Sequence, residues 1–198
     1  MNFKDRLVKR LVDIFFSATG LILLWPLILI VWLAATIDSK SNGFFIQERV
    51  GQYGKYFRVI KIRTMRPALD IQTTVTKRGD PRITKLGAFF RKTKIDELPQ
   101  LWNILVGQMS FVGPRPDMPG FADTLTGDEK EILLIKPGIT GPATLKYRNE
   151  EVILAKQKDP ETYNREVIWP DKVRINLAYI RNWSLTNDIK FIFRTVFK

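Results

Sequence analysis

Two adjacent carboxylates, Asp96 and Glu97, come one residue after the basic run Arg91-Lys92-Thr93-Lys94 and stand where a helix is expected to begin. The positive end of a helix dipole and neighbouring cations both favour the ionised form of such a pair. An ionised carboxylate held this way can attack phosphorus as a nucleophile or bind Mg2+, so Asp96 and Glu97 are the candidate catalytic and metal-ligating residues. A structural reading competes, because an Asp that precedes a helix commonly serves as its N-cap. With Asp96 as N-cap, Pro99 would take the third helical position and offer no N–H, which leaves one carboxylate oxygen free. The pairs Asp128-Glu129 and Glu150-Glu151 read instead as solvated surface.

Arg115 lies between Pro114 and Pro116, whose fixed φ angles present its guanidinium with little freedom to lose. That suits recognition of a phosphate or a planar base, although a rigid loop with an ordinary surface arginine has the same sequence. Lys61 and Arg63 alternate with apolar residues and share one face of an extended segment. The chain has no His and no Cys, which removes the usual general base, the serine triad, disulfides and thiolate or imidazole metal sites. A nucleophile and base must then be Asp, Glu, Ser, Thr, Tyr or Lys, and a metal must be a hard, oxygen-bound one. A net charge of +12 calls for anionic partners, and an anionic phospholipid membrane with phosphate-bearing substrates accounts for it without nucleic acid. Composition alone also allows a membrane-tethered, non-enzymatic binder of anionic lipid or nucleic acid.

The elements that must carry these residues begin with an uncharged run, Ile14 to Ile37, fenced by Asp13 and Asp38. At ~1.5 Å per residue its roughly 24 residues would reach ~36 Å, enough to cross a hydrocarbon core of ~30 Å. Basic residues flank both ends: Lys4, Arg6, Lys9 and Arg10 before it, Lys40, Arg49, Lys55, Arg58, Lys61, Arg63 and Arg66 after it. Such flanks are retained on the cytoplasmic side. The run therefore either crosses once or bends at Trp25-Pro26 and returns as a re-entrant helix, Pro26 removing a backbone donor and crowding the carbonyl of Ile22. Beyond it, alternation predicts a β-hairpin within Phe44 to Met65, turning at Gly51 and Gly54. Gln72 to Pro81 reads as a loop, Ile83 to Lys94 as a basic amphipathic helix, and Glu97 to about Val106 as another helix. Residues 113–116 and 136–142 read as rigid irregular segments, and 155–171 as a polar stretch with room for a short helix. Helices are expected over Val173 to Trp183 and from Asn187 to the end. The apolar stripe of the last, Ile189, Ile192, Phe193, Val196 and Phe197, fits a core or a membrane alike. The expected class is α+β: residues 1–38 as basic N-terminus and re-entrant membrane helix with a Pro kink, and 39–198 as one compact domain of a small β-hairpin and several amphipathic interfacial helices.

Five segments, Lys61-Ile62-Arg63-Thr64-Met65, Asp96-Glu97-Leu98-Pro99-Gln100-Leu101-Trp102-Asn103, Met109-Ser110-Phe111-Val112-Gly113-Pro114-Arg115-Pro116, Lys136-Pro137-Gly138-Ile139-Thr140-Gly141 and Asn182-Trp183-Ser184-Leu185, occur in that order. Together they make nearly the whole chain resemble the small monotopic phosphoglycosyl transferases of bacteria. The resemblance implies a ping-pong reaction at the cytoplasmic face of the inner membrane. Asp96 attacks the β-phosphate of a UDP-sugar, UMP leaves, and undecaprenyl phosphate takes the phosphosugar from Asp96. It implies Mg2+ at Asp96 and Glu97, substrate binding by Lys61, Arg63, Arg91, Arg115 and Arg148, and a nucleotide at Pro114-Arg115-Pro116. Glu97 orients or deprotonates the lipid phosphate as the alternative to binding metal. The small size implies UDP-N,N'-diacetylbacillosamine as donor, as in bacterial N-glycosylation; the alternative is a capsule or O-antigen initiating enzyme that uses another UDP-sugar. Pro142-Ala143-Thr144-Leu145-Lys146-Tyr147-Arg148-Asn149 departs from the Gln-Val-Asn-Gly-Arg-like stretch of larger relatives and keeps Arg148 as the counterpart of their arginine.

Overall fold

A computed structural model describes residues 1–67 and 80–197. Most of the expected loop from Gln72 to Pro81 lies outside the described residues. The first element, α1 (Phe3–Ser39), opens with a capping box between Asn2 and Asp5 and is helical without interruption through Trp25 and Pro26. It is long and apolar enough to cross a membrane.

Both limbs of α1 dock on the rest of the chain. In the N-terminal limb, Lys9, Asp13 and Ser17 are buried at i, i+4 spacing, and in the C-terminal limb Val31, Ala35 and Ser39 repeat the pattern. Between them Ile22, Leu23, Trp25, Leu29 and Ile30 are exposed. Lys9 Nζ lies 2.5 Å from Asp188 Oδ2, and the same carboxylate accepts hydrogen bonds from the Tyr179 hydroxyl (2.7 Å) and Trp183 Nε1 (3.0 Å). Arg10 donates to the carbonyls of Ile104 and Leu105 at 2.6 and 2.7 Å. Asp13 Oδ1 accepts from Ser110 Oγ and from the Phe111 amide, both at 3.1 Å. Farther along, Val31 and Ala35 pack with Ile62 and Phe90.

The hairpin pairs β1 (Phe44–Val50) with β2 (Tyr56–Ile62). Its register sets Phe45 opposite Lys61 and Arg49 opposite Phe57. The helix α2 (Lys85–Thr93) is capped by Thr84 and followed by a tight turn, Ile95–Glu97, and α3 (Gln100–Leu105). This corrects the expected helix from Glu97 to Val106. Lys94 takes a left-handed conformation (φ 61°) that ends α2, and the α-helix restarts only after Pro99, which occupies its N-cap position. Asp96 therefore caps no helix.

The two segments expected to be irregular are strapped together by a short parallel pair, β3 (Ser110–Val112) and β4 (Gly138–Thr140). Gly138 is required there, because a Cβ would come within 2.2 Å of the Gly113 nitrogen. Then follow α4 (Pro142–Lys146), α5 (Glu150–Leu154), α6 (Pro160–Tyr163), α7 (Trp169–Arg181) and α8 (Leu185–Val196). The start of α7 lies earlier than expected, since Pro170 falls in its first turn, where a missing N–H costs nothing. Along α8 and at its end, Ile189, Phe193, Val196 and Phe197 are exposed while Ile192 packs against the core, so most of the stripe faces away from it.

Candidate active site

The acidic pair sits where three elements meet. Asp96 and Glu97, in the turn after α2, are 8% and 7% exposed. Asn103 of α3 stitches that helix to β2: its Oδ1 accepts from the Ile60 amide at 3.1 Å and its Nδ2 donates to the Arg58 carbonyl at 2.8 Å. This fixes β2 beside the turn and brings Lys61 Nζ to 3.4 Å from Glu97 Oε1. From the other side the strap after β3 delivers Arg115, whose Nη2 lies 2.8 Å from the same oxygen.

The two carboxylates are in unlike states. Asp96 Oδ1 is buried with no hydrogen-bond partner. Burial, and after it the Glu97 charge, push the Asp96 carboxyl up to about 6 against the pull of Lys61, Lys94 and Arg91. Burial acts on Glu97 as well, but Arg115, Lys61 and Lys94 together outweigh it and hold that carboxyl well below the usual range. Lys61 is lowered to about 8, by burial and then by Arg115. The expectation that dipole and cations keep both carboxylates ionised thus holds for Glu97, while for Asp96 loss of solvent is the larger effect.

Arg91 is close enough to Asp96 to lower its carboxyl but forms an ion pair with Glu151. Glu150 pairs with Lys172 of α7 at 2.7 Å. The Glu150-Glu151 pair is therefore engaged with basic residues and is not the solvated surface expected. Arg63 turns aside from Lys61, donating to the Asn42 carbonyl at 2.7 Å and covering the Phe45 ring. Arg148 donates to the carbonyls of Arg194 and Thr195 at 3.3 and 3.1 Å and so closes the C-terminal end of α8. Among the expected site residues, then, Lys61, Asp96, Glu97 and Arg115 converge, with Pro114 and Pro116 bracketing the last.

Residues that were not singled out join them. Arg49 donates to Gln47 Oε1 at 2.5 Å, and the Asp117 carbonyl accepts from the Val50 amide at 2.9 Å. Burial raises the Asp117 carboxyl to about 6, opposed by Lys172, Arg49 and Arg115. Hairpin register could have revealed Arg49, since it shares a face with Lys61; nothing local in the sequence marks Lys172 or Asp117.

The family of bacterial sugar transferases matches residues 4–198 of this sequence. The chain belongs to that family. Bacterial sugar transferases similar to it include the UDP-glucose:undecaprenyl-phosphate glucose-1-phosphate transferases of Klebsiella pneumoniae (37% identical, 100% of this chain and 41% of the relative) and Escherichia coli K12 (38% identical, 98% and 40%). An undecaprenyl-phosphate galactose phosphotransferase of Salmonella typhimurium is 33% identical over 96% of this chain and 40% of its own length. The chain thus spans about two fifths of the length of these three relatives.

The donor set is compatible with Mg2+. Asp96 offers an unpartnered oxygen, and both cations at Glu97 fall on Oε1 alone. Mg2+ commonly takes one or two protein carboxylates and completes its shell with water and substrate phosphates. Among the described residues no group of three or more His, Cys, Asp or Glu could form a fuller cage.

Proposed function

We propose that this bacterial sugar transferase moves a phosphosugar from a UDP-sugar to undecaprenyl phosphate in two displacements at Asp96. The observation that carries the proposal is the buried, unpartnered Asp96 oxygen beside a Glu97 held ionised by Arg115 and Lys61. In the first step an ionised Asp96 oxygen bonds to the β-phosphorus as the bond from that phosphorus to the bridging oxygen breaks. UMP departs with the bridging oxygen and an acyl phosphate to the sugar remains. In the second step an oxygen of the lipid phosphate attacks the same phosphorus, the Asp96 carboxylate leaves, and the product is a polyprenyl diphosphate sugar. Both attacks bring an anion toward an anionic centre, so fixed positive charge does more for the barrier than proton transfer. Arg115 and Lys61 supply that charge, and paired with the single Glu97 carboxylate in the free protein they are held in place beforehand. Asp96 and Glu97 would hold Mg2+, which when bound supplies further neutralisation of the phosphate charge.

Both limbs of α1 dock on one domain while the stretch around Trp25-Pro26 is exposed. That supports a re-entrant, monotopic insertion from the cytoplasmic face of the inner membrane, with both ends on the same side. Exposed Phe193, Val196 and Phe197 on α8, with Phe89 on α2 and Trp102 on α3, suit an interfacial position for the domain. UDP-N,N'-diacetylbacillosamine is one candidate donor, and a panel of it with UDP-glucose and UDP-galactose assayed for UMP release discriminates.

Intact-mass measurement after incubation with UDP-sugar and Mg2+, without lipid, tests the covalent route. A phosphosugar adduct absent in Asp96→Asn is expected. Turnover on adding lipid with no adduct under trapping conditions would refute it, and full function in Asp96→Asn would point to a non-catalytic binder.

A further inference from the structure

Around the site every carboxylate but two has a partner: Glu97 has Arg115 and Lys61, Glu150 has Lys172, Glu151 has Arg91, and Asp171 has Lys146 and Tyr147. The exceptions among the described residues are Asp96 and Asp117. The proposed reaction uses the first and leaves the second without a task.

Asp117 is fixed in place by its backbone. Pro116 precedes it, and its own carbonyl is bonded to Val50 of β1. Its carboxylate lies among Lys172, Arg49 and Arg115 without reaching ion-pair distance of any. That field favours the charge while the lone pairs stay free. Asp117 and Arg115 also line a cavity of about 10 Å3 whose other walls include apolar Val50, Pro114, Ala122 and Pro137. Such a volume admits one water molecule or one hydroxyl, not a ring. The Asp117 oxygens are not sealed off as the Asp96 oxygen is, so a donor arriving from outside can reach them.

We propose that Asp117 accepts a hydrogen bond from an alcohol hydroxyl of the nucleotide sugar whose phosphates meet Arg115, and so sets the donor's register in the site. This rests on the reading of the protein as a UDP-sugar transferase. The hydroxyl belongs either to the ribose or to the transferred sugar, and ligand chemistry separates the two. Asp117 acts on positioning, so its loss is expected to raise KM and spare kcat.

The test is calorimetric binding of UMP, 2'- and 3'-deoxy-UMP, UDP-glucose and UDP-galactose to the non-reacting Asp96→Asn protein, with and without Asp117→Asn. A hydrogen bond to a charged acceptor corresponds to roughly a 10- to 100-fold loss of UDP-sugar affinity in Asp117→Asn. If the ribose is read, UMP weakens equally and the preference for UMP over a deoxy-UMP disappears with Asp117. If the sugar is read, UMP binding is unchanged. The deoxy arm needs only the parent protein, so a folding defect in Asp117→Asn leaves the test intact. Equal UDP-sugar affinities with and without Asp117, or a parent indifferent both to removal of each ribose hydroxyl and to the change from UDP-glucose to UDP-galactose, overturn this assignment alone. A parent that binds neither UMP nor a UDP-sugar overturns the transferase reading with it.

Discussion

Replacing Asp96 by Asn is expected to abolish turnover and to stabilise the fold in a pH-dependent way. The native carboxyl stands at about 6, whereas an unfolded Asp titrates near ~3.9. A group raised in the native state stabilises it fully only at pH below the unfolded value, and that contribution is lost as pH rises through the native one. Two pKa units at ~1.4 kcal/mol each set a ceiling of about 3 kcal/mol that the wild-type protein forgoes above pH ~6. Asn carries no charge and nearly the same shape, so it recovers that energy at pH 8 and gains almost nothing near pH 4. For a chain of this size about 2–4 °C accompany each kcal/mol. Thermal unfolding of both proteins in the same nanodiscs should show Asp96→Asn melting ~6–12 °C higher at pH 8, with the gap closing by pH 4. An equal shift at both pH values would mean that packing, not charge, is responsible. No shift at pH 8 would mean that the native carboxylate is not desolvated as described, and the account of its reactivity would fail with it.

The rate of UMP release should follow a bell, rising through pH ~6 as Asp96 ionises and falling above ~8 as Lys61 loses its proton, and a profile that stays level through both of these values would refute those assignments. Lys61→Arg should move the alkaline limb upward, read from the same profile. Arg115→Met leaves Glu97 short of its nearer cation; with the arginine partly exposed the cost should be about 2–3 kcal/mol, measured by denaturant unfolding and partly restored by adding Glu97→Gln. Asp188→Asn strands Lys9 in a buried setting and should cost ~3–5 kcal/mol, with faster hydrogen exchange in the first turns of α1 as the local sign.

What could be read from the chain is what depends on neighbours in sequence. Alternation from Tyr56 to Ile62 is a two-residue period and announces the hairpin, and the apolar stripe of α8 announces a helix, because each is a property of consecutive residues. The pairing of β3 with β4 joins residues far apart in the chain and has no periodic trace in segments of three residues each. The same holds for the site. Cations beside Asp96 are visible in the sequence and argue for ionisation; the burial that reverses their effect depends on how β2, α3 and the Arg115 strap close over the turn. Glu150 and Glu151 look like surface for the same reason, since Lys172 and Arg91 come from other elements. Pro99 did carry its signal, and its true effect is to delay α3 and leave Asp96 in a turn.

The polar contacts of α1 also bear on the order of events during synthesis. Lys9 and Asp188 are 179 positions apart, and Asp13 and Ser110 are 97 apart. The apolar segment emerges from the ribosome before these partners exist, so Lys9, Arg10 and Asp13 must wait unpaired, most cheaply among lipid headgroups where water and phosphates satisfy them. Only when α8 has been made can Asp188 draw Lys9 out of that setting. Seating of the N-terminal limb is therefore a late step in biogenesis, and a chain truncated before α8 would keep its grip on the bilayer and lose the fastening of its first turns to the domain.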